Sequence, residues 1–294
     1  MNDIRVGTSG FDYLDWIGTF YPKGLARKDF LAYYARFFGT LELNFSYYRM
    51  PDAEGLASLR DRVPSTFDFS VKAHESLTHR IDPATWKASA TEFAAALEPL
   101  ARNNQLAAVL LQFPFSFHYE PDRRRYLRDL LDRLQAFPCV VEFRNVQWMT
   151  PRVFEALSRA GVGLCAVDAP DLPGLPPSLD RATSDLGYVR FHGRNEANWW
   201  GSDGAARYDY RYSPAELSAW LPRLDTLRRT TKKLRVHFNN HRRGQAPDNA
   251  RDLIELIVKQ MPAPIVPAPM DWPQPAPELP GAGELPGAGE LPLQ

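Results

Sequence analysis

Eight short aliphatic and β-branched runs, separated for the most part by longer amphipathic stretches, constrain this chain more than any other feature. The runs fall at 4–7, 41–44, 67–72, 107–112, 139–144, 162–168, 188–192 and 234–239. Between them, and after the last, helical patterns lie at 26–38, 53–62, 86–103, 123–135, 152–159, 214–229 and 247–259. Ser213 before Pro214 and Thr150 before Pro151 read as helix starts, since a hydroxyl caps free N–H groups and proline suits the first turn. The link at 169–185, rich in proline and glycine, reads as an irregular loop. Strand–helix alternation demands parallel pairing, and eight strands are the number that closes a (β/α)8 TIM-type barrel. A doubly wound open sheet is the alternative.

In a strand, residues two apart share a face. Counting by twos to each strand's C-terminal end puts Glu42 and Asn44, Ser70 and Lys72, Gln112, Glu142 and Arg144, Asp168, Arg190 and His192, and His237 and Asn239 on one set of faces. The alternate positions are apolar, including Leu41, Phe69, Val109, Val141, Val167, Val189 and Val236. In a barrel the apolar set packs against helices, and the polar set lines the mouth, where barrel enzymes keep their sites. The segment YVRFHGRN, residues 188–195, is one stave of that ring. Three acids (Glu42, Glu142, Asp168) match three bases (Lys72, Arg144, Arg190), so a purely structural ion-pair network is the competing account. Stability alone explains a full ring poorly, because apolar replacements of buried pairs are often neutral or better.

Arginine forks and a helix start suit phosphate oxygens. Arg194 after strand seven, and Asn239, Asn240, Arg242 and Arg243 after strand eight, therefore point to an anionic small molecule. Glu142 or Asp168 would be the general base and His192 the acid. Glu142, Asp168, His192 and His237 have ligand types for a divalent metal, without a tight spacing to support one. Aromatic residues in GFDYLDWIGTFYP and FSYYRMP, with Trp199 and Trp200, could stack on a base or sugar. The basic runs DRRRYLR and LRRTTKKLR read as solvated outer faces.

Composition bounds the rest. From residue 262 the chain carries ten of its 26 prolines, an ELPGAG repeat, four acids and no Lys or Arg. It reads as a low-complexity, disordered tail (262–294) after a single barrel domain (1–261), with Trp272 able to pin its start. The barrel is left with 35 basic against 31 acidic residues, too mild a bias for a dedicated nucleic-acid coat. No apolar run approaches a membrane span and no signal peptide is evident. Two cysteines, Cys139 and Cys165, suggest no disulfide framework, so a cytoplasmic location is expected.

The segments VGTSGFDYLDWIGTFYP, LELNFSYYRMP, FSVKAHESLTH, LLQFPFSF, VEFRNVQW, YVRFHGRN, YDYRYS and FNNHRRGQAPDNA, taken together and in order, resemble the domain of unknown function 72 (YecE-like) family over residues 4–260. The resemblance implies a TIM-type barrel and no established reaction. The family's recurrent positions fall on Glu42, Asn44, Tyr48, Arg49, Lys72, His79, Gln112, Glu142, Arg144, Asp168, Arg190, His192, Gly193, Arg194, Tyr210, Tyr212, Asn239, Asn240 and Asn249. The pattern departs at KAHESLTH, where a proline or basic residue is expected after Lys72-Ala73, and the proline-rich tail lies outside it. At fold level such proteins are similar to endonuclease IV and xylose isomerase barrels. That analogy keeps a nucleic-acid-binding or metal-dependent phosphodiesterase-like reading beside the phosphorylated or nucleotide-like substrate.

Overall fold

The computed structural model describes residues 3–201 and 204–261. Eight parallel strands close into one barrel in sequence order: β1 (Asp3–Ser9), β2 (Thr40–Leu43), β3 (Asp68–Lys72), β4 (Leu106–Phe113), β5 (Cys139–Phe143), β6 (Gly163–Asp168), β7 (Leu186–Phe191) and β8 (Lys233–Phe238). β8 closes on β1 through pairs running from Asp3↔Lys233 to Thr8↔Phe238. The fold class read from the alternation is therefore the observed one. The expected tail lies outside the described residues. No helix of the described residues is long and apolar enough to cross a membrane.

Outward side chains such as Leu41, Phe69, Val109, Val141, Val189 and Val236 merge with the helices into one core. Inside the barrel, Ala108, Leu110, Val140, Cys165, Val167, Leu186 and Tyr188 pack together. Below them Arg235 plugs the N-terminal end. It donates to Asp68 Oδ2 from Nε at 2.9 Å and from Nη2 at 2.5 Å, and to Asp3 Oδ2 at 2.6 Å. Arg235 belongs to the run expected to be solvated, and its burial corrects that expectation. It shares a strand face with His237, so the barrel interior claims it.

Helix Pro214–Thr230 starts in a capping box made by Ser213 and Glu216, and helix Pro151–Arg159 is capped by Thr150. The link 169–185 has no helix, as expected. The pattern at 26–38 yields less helix than its periodicity suggests: a 3-10 turn, Arg27–Asp29, then only Phe30–Tyr34. Its apolar spacing there serves a cluster of rings instead, in which Phe20 packs on Tyr33, Tyr34, Phe37 and Phe38.

Candidate functional site

Glu42, on β2, and Arg190, on β7, meet across the barrel. The Arg190 fork donates from Nε to Glu42 Oε2 at 2.9 Å and from Nη2 to Glu42 Oε1 at 2.6 Å. Its third nitrogen, Nη1, donates to Glu142 Oε2 at 2.7 Å. Tyr188, one step below on the same face of β7, donates its hydroxyl to Glu42 Oε2 at 2.8 Å. Both carboxylates are fully buried and Arg190 is 1% exposed. A guanidinium holding two carboxylates in forked geometry is among the strongest charge-assisted arrangements available.

Glu142 then reaches toward the mouth. Its Oε1 accepts from Arg144 Nε and lies 3.1 Å from His192 Nε2. Asn239 Nδ2 approaches His192 Nδ1 at 3.1 Å, while Arg144 Nη2 lies over the ring edge, 3.0 Å from Nε2 and 3.4 Å from Nδ1. Burial opposes the Glu142 charge, yet Arg144, Arg190 and His192 together hold its carboxyl well below the usual range. Burial, then the charge of Arg144, pushes His192 down to about 3. His192 is thus a neutral imidazole at physiological pH and has little capacity as a cationic acid.

Lys72 ends β3 in the same mouth, partly exposed. Its Nζ sits 4.2 Å over the Tyr47 ring, and among the described residues no carboxylate pairs with it. Burial and then the Arg190 charge pull its amine down to about 7. Beside it His79, against Tyr47 at 4.8 Å between ring centroids, falls to about 4 through burial and then the Lys72 charge. Trp199 lies under Arg144 at 5.6 Å and near His192 at 6.5 Å; Tyr208 is 6.0 Å from His192, and Tyr13 stacks on His241 at 4.6 Å. Aromatic faces therefore rim the polar floor.

A family model described as Protein of unknown function DUF72 matches residues 5–275. The chain belongs to the DUF72 family. That match runs past Met261, so the first part of the proline-rich segment falls inside the family pattern, contrary to the expectation above. The UPF0759 protein YunF of Bacillus subtilis (strain 168) is 33% identical over 269 residues, covering 86% of this chain and 94% of YunF. The crystal structure of a DUF72 family protein from Thermotoga maritima MSB8 is 37% identical, with a TM-score of 0.80 over 87% of this chain and 100% of that one. A DUF72 family protein from Enterococcus faecalis V583, 24% identical, aligns with a TM-score of 0.79 over 94% of this chain and 99% of its own, and speaks to the fold alone.

The positions assigned through the DUF72 pattern sort into groups. Glu42, Lys72, Glu142, Arg144, Arg190, His192 and Asn239 share the mouth, with His79 beside Lys72. Gln112 pairs in register with Glu142 and faces the same way. Asn44, Tyr48 and Arg49 line a cavity of about 660 Å³ between the loop after β1 and helix Ala53–Arg60, with Tyr13 on its wall. Tyr48 is 78% exposed.

Asp168 is the main correction. Val167 pairs with Arg190 and faces inward, so Asp168, paired with Phe191, faces the helices. There it accepts from Tyr212 Oη at 2.7 Å, Trp220 Nε1 at 2.6 Å, and both Nε (2.9 Å) and Nη2 (2.6 Å) of Arg194. Arg194 is thereby consumed outside the barrel and does not clamp a ligand in the mouth. Gly193 makes this turn possible. Its φ is +87° and a Cβ would lie 2.7 Å from Tyr210, so the chain can swing from inward His192 to outward Arg194 only with glycine. Tyr210 donates to Glu216, Asn240 donates to Tyr210 O and Asn249 Oδ1, and Asn249 bonds both backbone groups of Tyr212. These residues hold the β7 loop in place. Arg243 is bound to Asp209 at 3.2 Å, with its backbone N–H on Asp15.

The metal candidates do not converge. Asp168 faces away, Glu142 and His192 are bonded to each other, and His237 lies lower, against Thr40 and Tyr188. Among the described residues no three His, Cys, Asp or Glu side chains form a ligand group. Cys165 faces the interior 3.9 Å from Glu142, and burial raises its thiol so that it stays protonated.

Asp168→Ala is expected to lower unfolding free energy by about 3 kcal/mol, because buried donors on Trp220 and Tyr212 lose their acceptor and Arg194 its counter-charge. Urea unfolding checks this. Unchanged stability with abolished ligand binding would return Asp168 to the site.

Proposed function

We propose that the mouth binds a small anionic ligand, phosphorylated or nucleotide-like, and that the protein is an enzyme acting on it by acid–base chemistry. The observation that carries this reading is the charge left over once Asp168 and Arg194 are removed from the ring. Two guanidinium groups, Arg144 and Arg190, and a half-protonated Lys72 then face two carboxylates, Glu42 and Glu142. Burial is the largest cause of the lowered His79 and Lys72 values; Lys72 and then Arg144 add to it at His79, and Arg190 adds to it at Lys72 against Glu142 and Glu42. The cationic share of these shifts favours an anion, whereas the burial share favours neither sign.

Arg190 is saturated by its carboxylates, so Arg144, whose side chain is 11% exposed, is the fork that can meet a phosphate. Glu142 is held ionised by three donors and orients Arg144 from behind, as does His192, itself fixed by Asn239. Tyr208 and Tyr13, both half-buried, supply stacking faces for a base or sugar.

Calorimetric titration with inorganic phosphate and with adenosine monophosphate at low salt tests the reading. Saturable binding is expected, weakened about tenfold by Arg144→Lys, which keeps the charge beside Glu142 but loses the fork. The variant should melt within a few degrees of the parent. Absence of binding, or binding indifferent to Arg144→Lys, overturns it.

A further inference from the structure

Lys72 is the member of the ring that pairing leaves out. Glu42 is taken by Arg190 and Tyr188, and Glu142 by Arg190, Arg144 and His192. The Lys72 ammonium is left with the face of Tyr47, which is worth a fraction of a salt bridge's compensation. It is also crowded by two guanidinium groups. A desolvated lysine beside other cations, partly exposed at the C-terminal end of its strand, has the environment of an amine nucleophile rather than of a charge clamp. The other six lysines, at 23, 28, 87, 232, 233 and 259, are all exposed.

We infer that Lys72 Nζ forms an imine with a carbonyl carbon of the ligand, which makes the substrate class an oxo compound carrying an anionic group. The anionic half rests on the function proposed above; the nucleophile does not. The step balances without a further reactant. The neutral amine's lone pair adds to the carbonyl carbon to give a carbinolamine. Both amine protons and the carbonyl oxygen then leave as water, and the C=N bond forms. Glu42 and Glu142 act in the opposite sense to Arg190 and Arg144 on this amine, with His79 and Tyr47 packed beside it. The balance leaves the amine at about 7, so roughly half is neutral at pH 7, against roughly one part in a few thousand for an exposed lysine.

The experiment is brief treatment of the native protein at pH 7 with pyridoxal 5′-phosphate and cyanoborohydride, followed by peptide mapping. One pyridoxyl group is expected, on Lys72, formed at least about a hundredfold faster than on any exposed lysine. Its rate should rise through pH 7 and level about one unit above it. Lys72→Arg should abolish that product while leaving slow surface labelling. Pyridoxal without phosphate should label Lys72 about tenfold more slowly. Equal rates for the two aldehydes would keep the nucleophile and remove the anion site. Surface labelling with Lys72 untouched would overturn the inference, and the phosphate titration would still judge the anion reading separately.

Discussion

Arg190→Met is expected to cost about 3–5 kcal/mol of unfolding free energy, enough to endanger folding at physiological temperature. The side chains are similar in volume, so the loss is electrostatic. Without the guanidinium, two fully buried carboxylates remain, Glu42 with the Tyr188 hydroxyl and Glu142 with Arg144 and His192. Glu42 is the more exposed to this loss, since Arg190 is the cation that touches it. Adding Glu42→Gln should therefore recover part of the stability, because a neutral amide no longer demands a counter-charge. Arg144→Met should cost much less, since Arg190 and His192 still hold Glu142 and water reaches the Arg144 position. Urea unfolding of the three variants and the double variant gives the coupling energy. If Arg190→Met stays within about 1 kcal/mol of the parent, the carboxylates are not buried as charges and the electrostatic reading of the mouth fails.

The same cluster shows how far the sequence can be read. Alternation placed Glu42, Glu142, Arg190 and His192 correctly because each lies on a strand with a plainly apolar opposite face. β6 defeats that reasoning. Leu164, Cys165, Ala166 and Val167 are small or apolar on both faces, so their parity is invisible, and Asp168 inherits the ambiguity. Only the pairing of Val167 with Arg190 resolves it. Arg235 was hidden differently, by lying at the end of a basic run whose Arg229, Lys232 and Lys233 are exposed. A signal existed, since it is two residues from His237 and sits on the inward face. Tyr210, Tyr212 and Asn249 entered through family resemblance alone, and Asn240 through it and the loop after β8; resemblance marks recurrence without distinguishing a ligand contact from a loop support. Their hydrogen bonds to one another and to the β7 loop make that distinction.

Acid should unfold this protein from above the carboxylate range, and the histidines are the cause. His192 and His237 are fully buried, and burial foremost pushes them to about 3 and about 4. Arg144 and Arg190 press on the first against Glu142, and Arg190 and Arg235 on the second against Glu42 and Asp68. Freed in the unfolded chain, each titrates near 6.5. As pH falls below that value the unfolded state takes up these two protons, and a further one at His79, that the folded state resists. Unfolding free energy should then drop by about 1.4 kcal/mol per pH unit for each proton. Between pH 6.5 and 4.5 the two together remove about 5 kcal/mol, comparable with a whole domain's stability. Glu42 and Glu142, whose folded values are lowered, add their own loss only below about 4.3, where the unfolded carboxylates begin to protonate. Urea unfolding at pH 7, 6 and 5 measures the slope. His237→Gln should reduce it by one proton, because glutamine offers nothing to titrate in either state. A flat profile from pH 7 to 5 would mean that these imidazoles already share solvent protons in the native barrel. The desolvating, positively biased surroundings on which Lys72 depends would then not exist.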